Sequence, residues 1–215
     1  MNQIVKDKMQ REVMAVKNDF LFENIERKTK VYTNEEVNFE QIILDNFEFK
    51  VRGPVETNFD YKQPITYAIV MNEKNEIFVY IRWDKNSAAG ESRLHEKLSI
   101  GVGGHLERED EYVENPLRDC LARELEEEIW LKKESIIQSF PVGYINDDRN
   151  EVGEVHLGIA YLVKVQGFSP KMEDWELAHG EFKSYPELQE MILGWEYNVE
   201  TWTELLTPEI EKYIY

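Results

Sequence analysis

The sequence predicts an α/β protein of the α+β type, a mixed β-sheet accompanied by helices, on three observations. Two β-rich runs, Ile65 to Met71 and Ile77 to Trp83, flank the turn-forming cluster Asn72-Glu73-Lys74-Asn75 and read as a hairpin. Val155, Leu157, Ile159, Tyr161, Val163 and Val165 alternate, which is the strongest strand pattern in the chain. Between these, Leu117, Cys120, Leu121, Leu125 and Ile129 recur at helical spacing behind Asn115-Pro116, an N-cap followed by a first-turn proline.

The remaining elements follow in order. Over residues 3 to 25, Ile4, Met9, Val13, Val16, Phe20 and Leu21 fall at roughly helical intervals, and an amphipathic helix is expected. A second helix is expected over Glu35 to Asn46, with a weak capping signal at Asn34. Phe47 to Val51 alternates like a strand, and Gly53-Pro54 then breaks the chain. None of this carries recognisable chemistry. Residues 1–60 are therefore expected to be an extension that packs on a domain of residues 61–215 or forms a dimer face or substrate lid. Lys97 to Val102 reads as a short strand feeding Gly103-Gly104. Ser135 to Ile145 reads as a strand with Pro141 and Gly143 suggesting an edge or bulge. Glu181 to Tyr185 reads as a short strand, Pro186 opens a helix through Leu193, and a last helical piece covers Glu200 to Leu206.

Composition narrows the function. With 42% hydrophobic and 12% aromatic residues in 215, the chain can build a proper core. A formal net charge of -18 argues against duplex nucleic acid and anionic membrane as partners. It leaves room for a phosphorylated small molecule, because a bound metal reverses the local field. Cys120, the one cysteine, lies on the apolar stripe of the helix and reads as a small core residue. With no hydrophobic N-terminal segment, a cytoplasmic location is expected.

The chemistry concentrates in GVGGHLEREDEYVENPLRDCLARELEEEIWL, Gly101 to Leu131. Glu124, Glu127 and Glu128 stand at i, i+3 and i+4, so their carboxylates share one helix flank. Each like-charged pair costs about 0.2–0.5 kcal/mol, and acids near a helix C-terminus oppose its dipole. Arg123 can relieve part of this through Asp119, Glu126 or Glu127; solvent or a hard divalent cation must relieve the rest. A glutamate run alone is usually a solvated face. Here it follows Gly103-Gly104, where backbone can approach a ligand closely.

Taken together, the glycine pair and Arg123-Glu124-Leu125-x-Glu127-Glu128-x-x-Leu131 resemble the signature of the Nudix hydrolases, MutT-like enzymes. The late signature glycine is replaced by Trp130, and about five extra residues leave the early glutamate open among Glu107, Glu111 and Glu114. Arg52 to Val102 is further similar to a bacterial subgroup of predicted phosphoesterases. The resemblance covers approximately Tyr61 to Leu193 and implies a Nudix-like α/β/α sandwich. It implies cleavage of a diphosphate linkage in a nucleoside diphosphate derivative by a metal-activated water. Mg2+ or Mn2+ would be held by Glu124, Glu127, Glu128 and the Gly103 carbonyl, with Arg123 orienting a glutamate. Gly104 and His105 would meet substrate. Glu176, in the loop Lys171 to Gly180, is the leading general base, ahead of Glu181, unless a signature glutamate takes the proton. The resemblance also implies a homodimer. The alternative is a non-catalytic sensor that binds a nucleotide; a prenyl diphosphate isomerase ranks low, because Cys120 faces the core side of its helix.

Other polar and aromatic residues are weighed the same way. His105 could equally cap a loop carbonyl, and His156 is more often a satisfied structural histidine than a ligand. His95 and His179 lack partners at metal-ligand spacing, so no zinc site is expected. Trp83, Trp175, Trp195 and Trp202 could stack a base, yet such residues usually pack the core first.

Overall fold

Val13, Met14, Ala15 and Val16 are all buried, and a run apolar at every position fits a strand covered on both faces better than a surface helix. The segment expected as one helix over residues 3 to 25 is accordingly α1 (Gln3–Gln10), β1 (Glu12–Lys17) and α2 (Asn18–Leu21). The computed structural model describes residues 3–82, 97–108, 115–170 and 177–214, with side chains from residue 6 and, after the last gap, from residue 180. Onward from α2 run β2 (Lys30–Tyr32), α3 (Phe39–Asn46), β3 (Glu48–Val51), α4 (Arg52–Val55), β4 (Tyr61–Met71), β5 (Ile77–Arg82), β6 (Lys97–Ser99) and β7 (Gly101–Val102). There follow α5 (Pro116–Ile129), β8 (Ile136–Asn146), α6 (Glu151–Glu154), β9 (His156–Val165), β10 (Leu177–Lys183), α7 (Tyr185–Leu193), β11 (Asn198–Val199) and α8 (Thr201–Ile210). Helix α3 starts later than expected because Asn38, not Asn34, caps it, its side chain accepting from the Gln41 amide at 3.1 Å.

Packing divides the chain into two compact units. The first comprises Met1–Tyr67, Gly104–Leu121 and Pro141–Ala160. In it β1 pairs antiparallel with β3 (Val13 opposite Lys50) and with the start of β4 (Val16 opposite Lys62). Strand β2 pairs antiparallel with β8, Val31 opposite Ile145. Phe39 anchors the helix side, its ring edge-on to Phe22, Tyr32 and Tyr144 at 5.3–5.6 Å between centroids. Isolated bridges join Val13 to Glu107 and Ile65 to His105, and these fix the backbone after the glycine pair.

The second unit comprises Ala68–Gly103, Ala122–Phe140 and Tyr161–Tyr215. The expected hairpin is present, Met71 opposite Ile77, with Asn75 in the left-handed region at φ 58°. Strand β5 also pairs antiparallel with β6 and with β10, the latter through a bulge between Ala178 and Glu181. Strand β11 pairs parallel with β6, Val199 opposite Leu98, so the sheet is mixed. Strand β10 begins at Leu177 rather than at the expected Glu181 because it pairs with β5 as far as Arg82. Helix α7 opens with a full capping box, Ser184 and Glu187 satisfying each other's backbone amides. Among the described residues no helix is long and apolar enough to cross a membrane.

Candidate functional site

Helix α5 begins as its sequence demands. Asn115 caps it, Oδ1 accepting from the Arg118 amide at 3.2 Å, and Pro116 fills the first turn. Leu117, Cys120, Leu121, Leu125 and Ile129 are all buried, which turns the flank bearing Glu124, Glu127 and Glu128 away from the core. Arg123 Nη1 bonds Glu124 Oε1 at 2.7 Å and Glu127 Oε2 at 3.4 Å, so one guanidinium spans two of the three acids. The three carboxylates differ in exposure. Glu124 is 13% exposed and Glu127 61%, while Glu128 is half-buried with Oε2 closed off from water.

The helix ends where the signature glycine would stand. The Trp130 amide reaches Glu126 O at 3.1 Å, the bond of a left-handed C-terminal closure, and the Leu131 amide reaches back to Leu125 O at 3.0 Å. Trp130 adopts φ 58° to make it, a conformation that favours glycine. Gly103 has φ 153°, a geometry that side-chain-bearing residues avoid. In the same unit, Tyr80 donates its hydroxyl proton to the Gly101 carbonyl at 2.5 Å. Burial pushes that hydroxyl well above its usual range, the charges of Glu128 and Glu200 adding to the effect against Arg82; it stays a neutral donor.

The Gly104 carbonyl accepts from the Thr66 amide at 3.1 Å, and the Cys120 thiol lies 3.4 Å from the His105 carbonyl. Cys120 is thus a buried residue against backbone, as its place on the stripe implied. The His105 ring meets an unforeseen partner. Its Nε2 lies 3.1 Å from Nε2 of His156, and Glu56 presents one carboxylate oxygen to each ring at 3.9 Å. These residues are 49 and 51 positions apart from His105 in sequence, and no local spacing signals the cluster.

Other sequence-derived candidates fall elsewhere. Glu107 is tied to Arg11 at 2.9 Å. Glu181 lies in β10, paired with Lys183 at 2.9 Å. Glu111, Glu114, Glu176, His95, Trp83 and Trp175, and the side chain of His179, lie outside the described residues. Trp195 is fully exposed rather than packed, beside exposed Leu193 and Tyr197.

No protein-family model matches the chain. It is 35% identical to protein YmaB of Bacillus subtilis over 165 residues, covering 74% of this chain and 76% of YmaB. Among solved structures it matches Tm1382, described as a candidate Nudix hydrolase, with a TM-score of 0.74 and 24% identity over 94% of this chain and 99% of that one. DR0079 from Deinococcus radiodurans gives a TM-score of 0.56 at 13% identity, covering 84% and 97% of the two chains. A Nudix hydrolase from Alicyclobacillus acidocaldarius gives 0.53 at 13% identity, covering 68% and 90%.

Proposed function

The chain belongs to the family of Bacillus subtilis protein YmaB and has the α+β, mixed-sheet fold of the Nudix superfamily, and on that footing we propose that it is a divalent-metal-dependent hydrolase. Its substrate is a phosphorylated small molecule, and the bond cleaved is a diphosphate linkage, as in a nucleoside diphosphate derivative. One observation carries the reading: Glu124, Glu127 and Glu128 share a flank of α5, and Arg123 braces two of them.

The donor set fits a hard cation. All three side chains offer carboxylate oxygen, the ligand type a hard dication prefers, and Glu124 and Glu128 are largely withdrawn from water. Glu124, Glu127 and Glu128 would hold Mg2+ or Mn2+, with the Gly103 carbonyl as a further ligand. When bound, such an ion supplies charge neutralisation at the diphosphate and a more acidic water. Arg123 fixes the Glu124 and Glu127 rotamers and offsets their mutual repulsion. Gly104 and His105 are assigned to the substrate phosphates from their place after the glycine pair. Glu176 is assigned the proton of the attacking water, as a carboxylate outside the helix.

The test is phosphate release from a panel of nucleoside diphosphate derivatives with magnesium or manganese, comparing wild type with Glu127→Gln. Loss of turnover in the variant is expected. Equal activity of the two proteins rejects the assigned mechanism.

A further inference from the structure

We infer that Glu56, His105 and His156 form a second metal site, selective for a borderline transition dication of the zinc class rather than for magnesium. The ligand atoms of the three side chains all lie within 4.8 Å of one another, and they come from one unit of the fold. The site uses none of the α5 carboxylates.

The histidine geometry is that of prepared ligands. Nδ1 of His156 lies 2.7 Å from the Val152 carbonyl. A carbonyl only accepts, so Nδ1 carries the proton and Nε2 presents a lone pair. That lone pair faces Nε2 of His105 at 3.1 Å. Two nitrogens so placed share either a proton or a cation. On a tetrahedral zinc with bonds of about 2.0–2.1 Å, neighbouring nitrogens stand about 3.4 Å apart, so the rings need move only a few tenths of an ångström.

The third donor is also positioned. Glu56 follows α4, its amide closing the turn on Arg52 O at 3.0 Å. Arg52 Nε holds Glu56 Oε1 at 2.8 Å, while each oxygen faces one imidazole at 3.9 Å. Backbone carbonyl behind a histidine and guanidinium behind a carboxylate are the outer contacts that orient metal ligands. Imidazole nitrogen suits zinc, cobalt or nickel, whereas magnesium prefers a full oxygen shell. Exposure is 10% for His105, 7% for His156 and 22% for Glu56, so the opening lies on the carboxylate side. A fourth position there would accept water or a phosphate oxygen, and His105 would serve substrate through the cation rather than through its own N–H.

The experiment is a cobalt(II) titration of the chelator-stripped full chain, read by visible d–d absorption, followed by displacement with zinc. With excess magnesium present to occupy the α5 carboxylates, wild type is expected to develop a low-symmetry spectrum that saturates at about one equivalent and that zinc erases. Glu56→Gln, partly exposed and nearly isosteric, removes the anionic ligand and should weaken binding by at least about 10-fold, the least that loss of even an outer contact costs, and His156→Gln should abolish the spectrum. Glu127→Gln should leave both unchanged, which separates this site from the hydrolytic one. No cobalt spectrum in wild type, or a spectrum unaffected by Glu56→Gln and His156→Gln, overturns the inference. A spectrum lost only in Glu127→Gln also overturns it, by moving the ion to α5.

Discussion

The Lys62 ammonium lies 3.0 Å from the Asp148 carboxylate and is fully buried. It also donates to the carbonyls of Gly153, Glu154 and His156 at 2.7, 3.2 and 3.1 Å. Arg27 grips the same Asp148 through two bonds of 2.8 Å. One β4 side chain thus ties the turn that presents His156 to the segment before β2. Replacing Lys62 by Met leaves three carbonyls without this donor and Asp148 with one cation fewer. The expected loss is about 3–5 kcal/mol, measured as the shift of the urea midpoint at neutral pH. A change under about 1 kcal/mol would show that water replaces the ammonium.

The same pair makes stability rise with pH in two separate windows, one acid and one alkaline. Burial would raise the Asp148 carboxyl, but the Arg27 hydrogen bond, the Lys62 charge and Asn146 hold it far below its ordinary 3.8. Its folded value is depressed, so its stabilisation is complete above pH 3.8 and drains away as pH falls toward the folded value. Lys62 is lowered by burial from 10.5 to about 8. Between those values the unfolded chain binds more protons, so this group makes stability rise with pH. Melting temperatures from pH 2 to 6 should fall steeply on the acid side in wild type and less steeply in Asp148→Asn. Parallel curves would remove Asp148 from the acid transition.

Trp130 offers a stabilising change. A bulky residue in the left-handed region costs about 1–2 kcal/mol, and its ring is 50% exposed, so little packing is forfeited. Glycine would lose about 0.5–1 kcal/mol of that through a freer unfolded chain. Trp130→Gly is therefore expected to gain about 0.5–1 kcal/mol in chemical denaturation. A loss would mean that the indole packs more firmly than its exposure indicates.

What the sequence disclosed depended on range. The Asn115 cap, the stripe from Leu117 to Ile129 and the hairpin around Asn72–Asn75 are local patterns, and each is present. Val13–Val16 misled because helical spacing and an unbroken apolar run coincide there, and only pairing with β3 and β4 decides between them. The three carboxylates were visible as i, i+3, i+4 neighbours. The Glu56–His105–His156 cluster was not, since it forms when the end of α4, the turn after α6 and the post-glycine segment meet. Solitary histidines in a sequence report nothing of such meetings.

Arg123 separates stability from chemistry. Its bonds to Glu124 and Glu127 are partly exposed, and such pairs are worth about 0–1 kcal/mol. Arg123→Met should therefore leave the melting temperature nearly unchanged. If the guanidinium orients the carboxylates that hold the hydrolytic cation, the variant instead needs about 10- to 100-fold more manganese for half-maximal hydrolysis. Lysine restores charge but lacks the rigid planar fork, so Arg123→Lys should recover only part of the affinity. A variant with an unchanged manganese requirement would reduce Arg123 to a surface ion pair, whatever happens to the maximal rate.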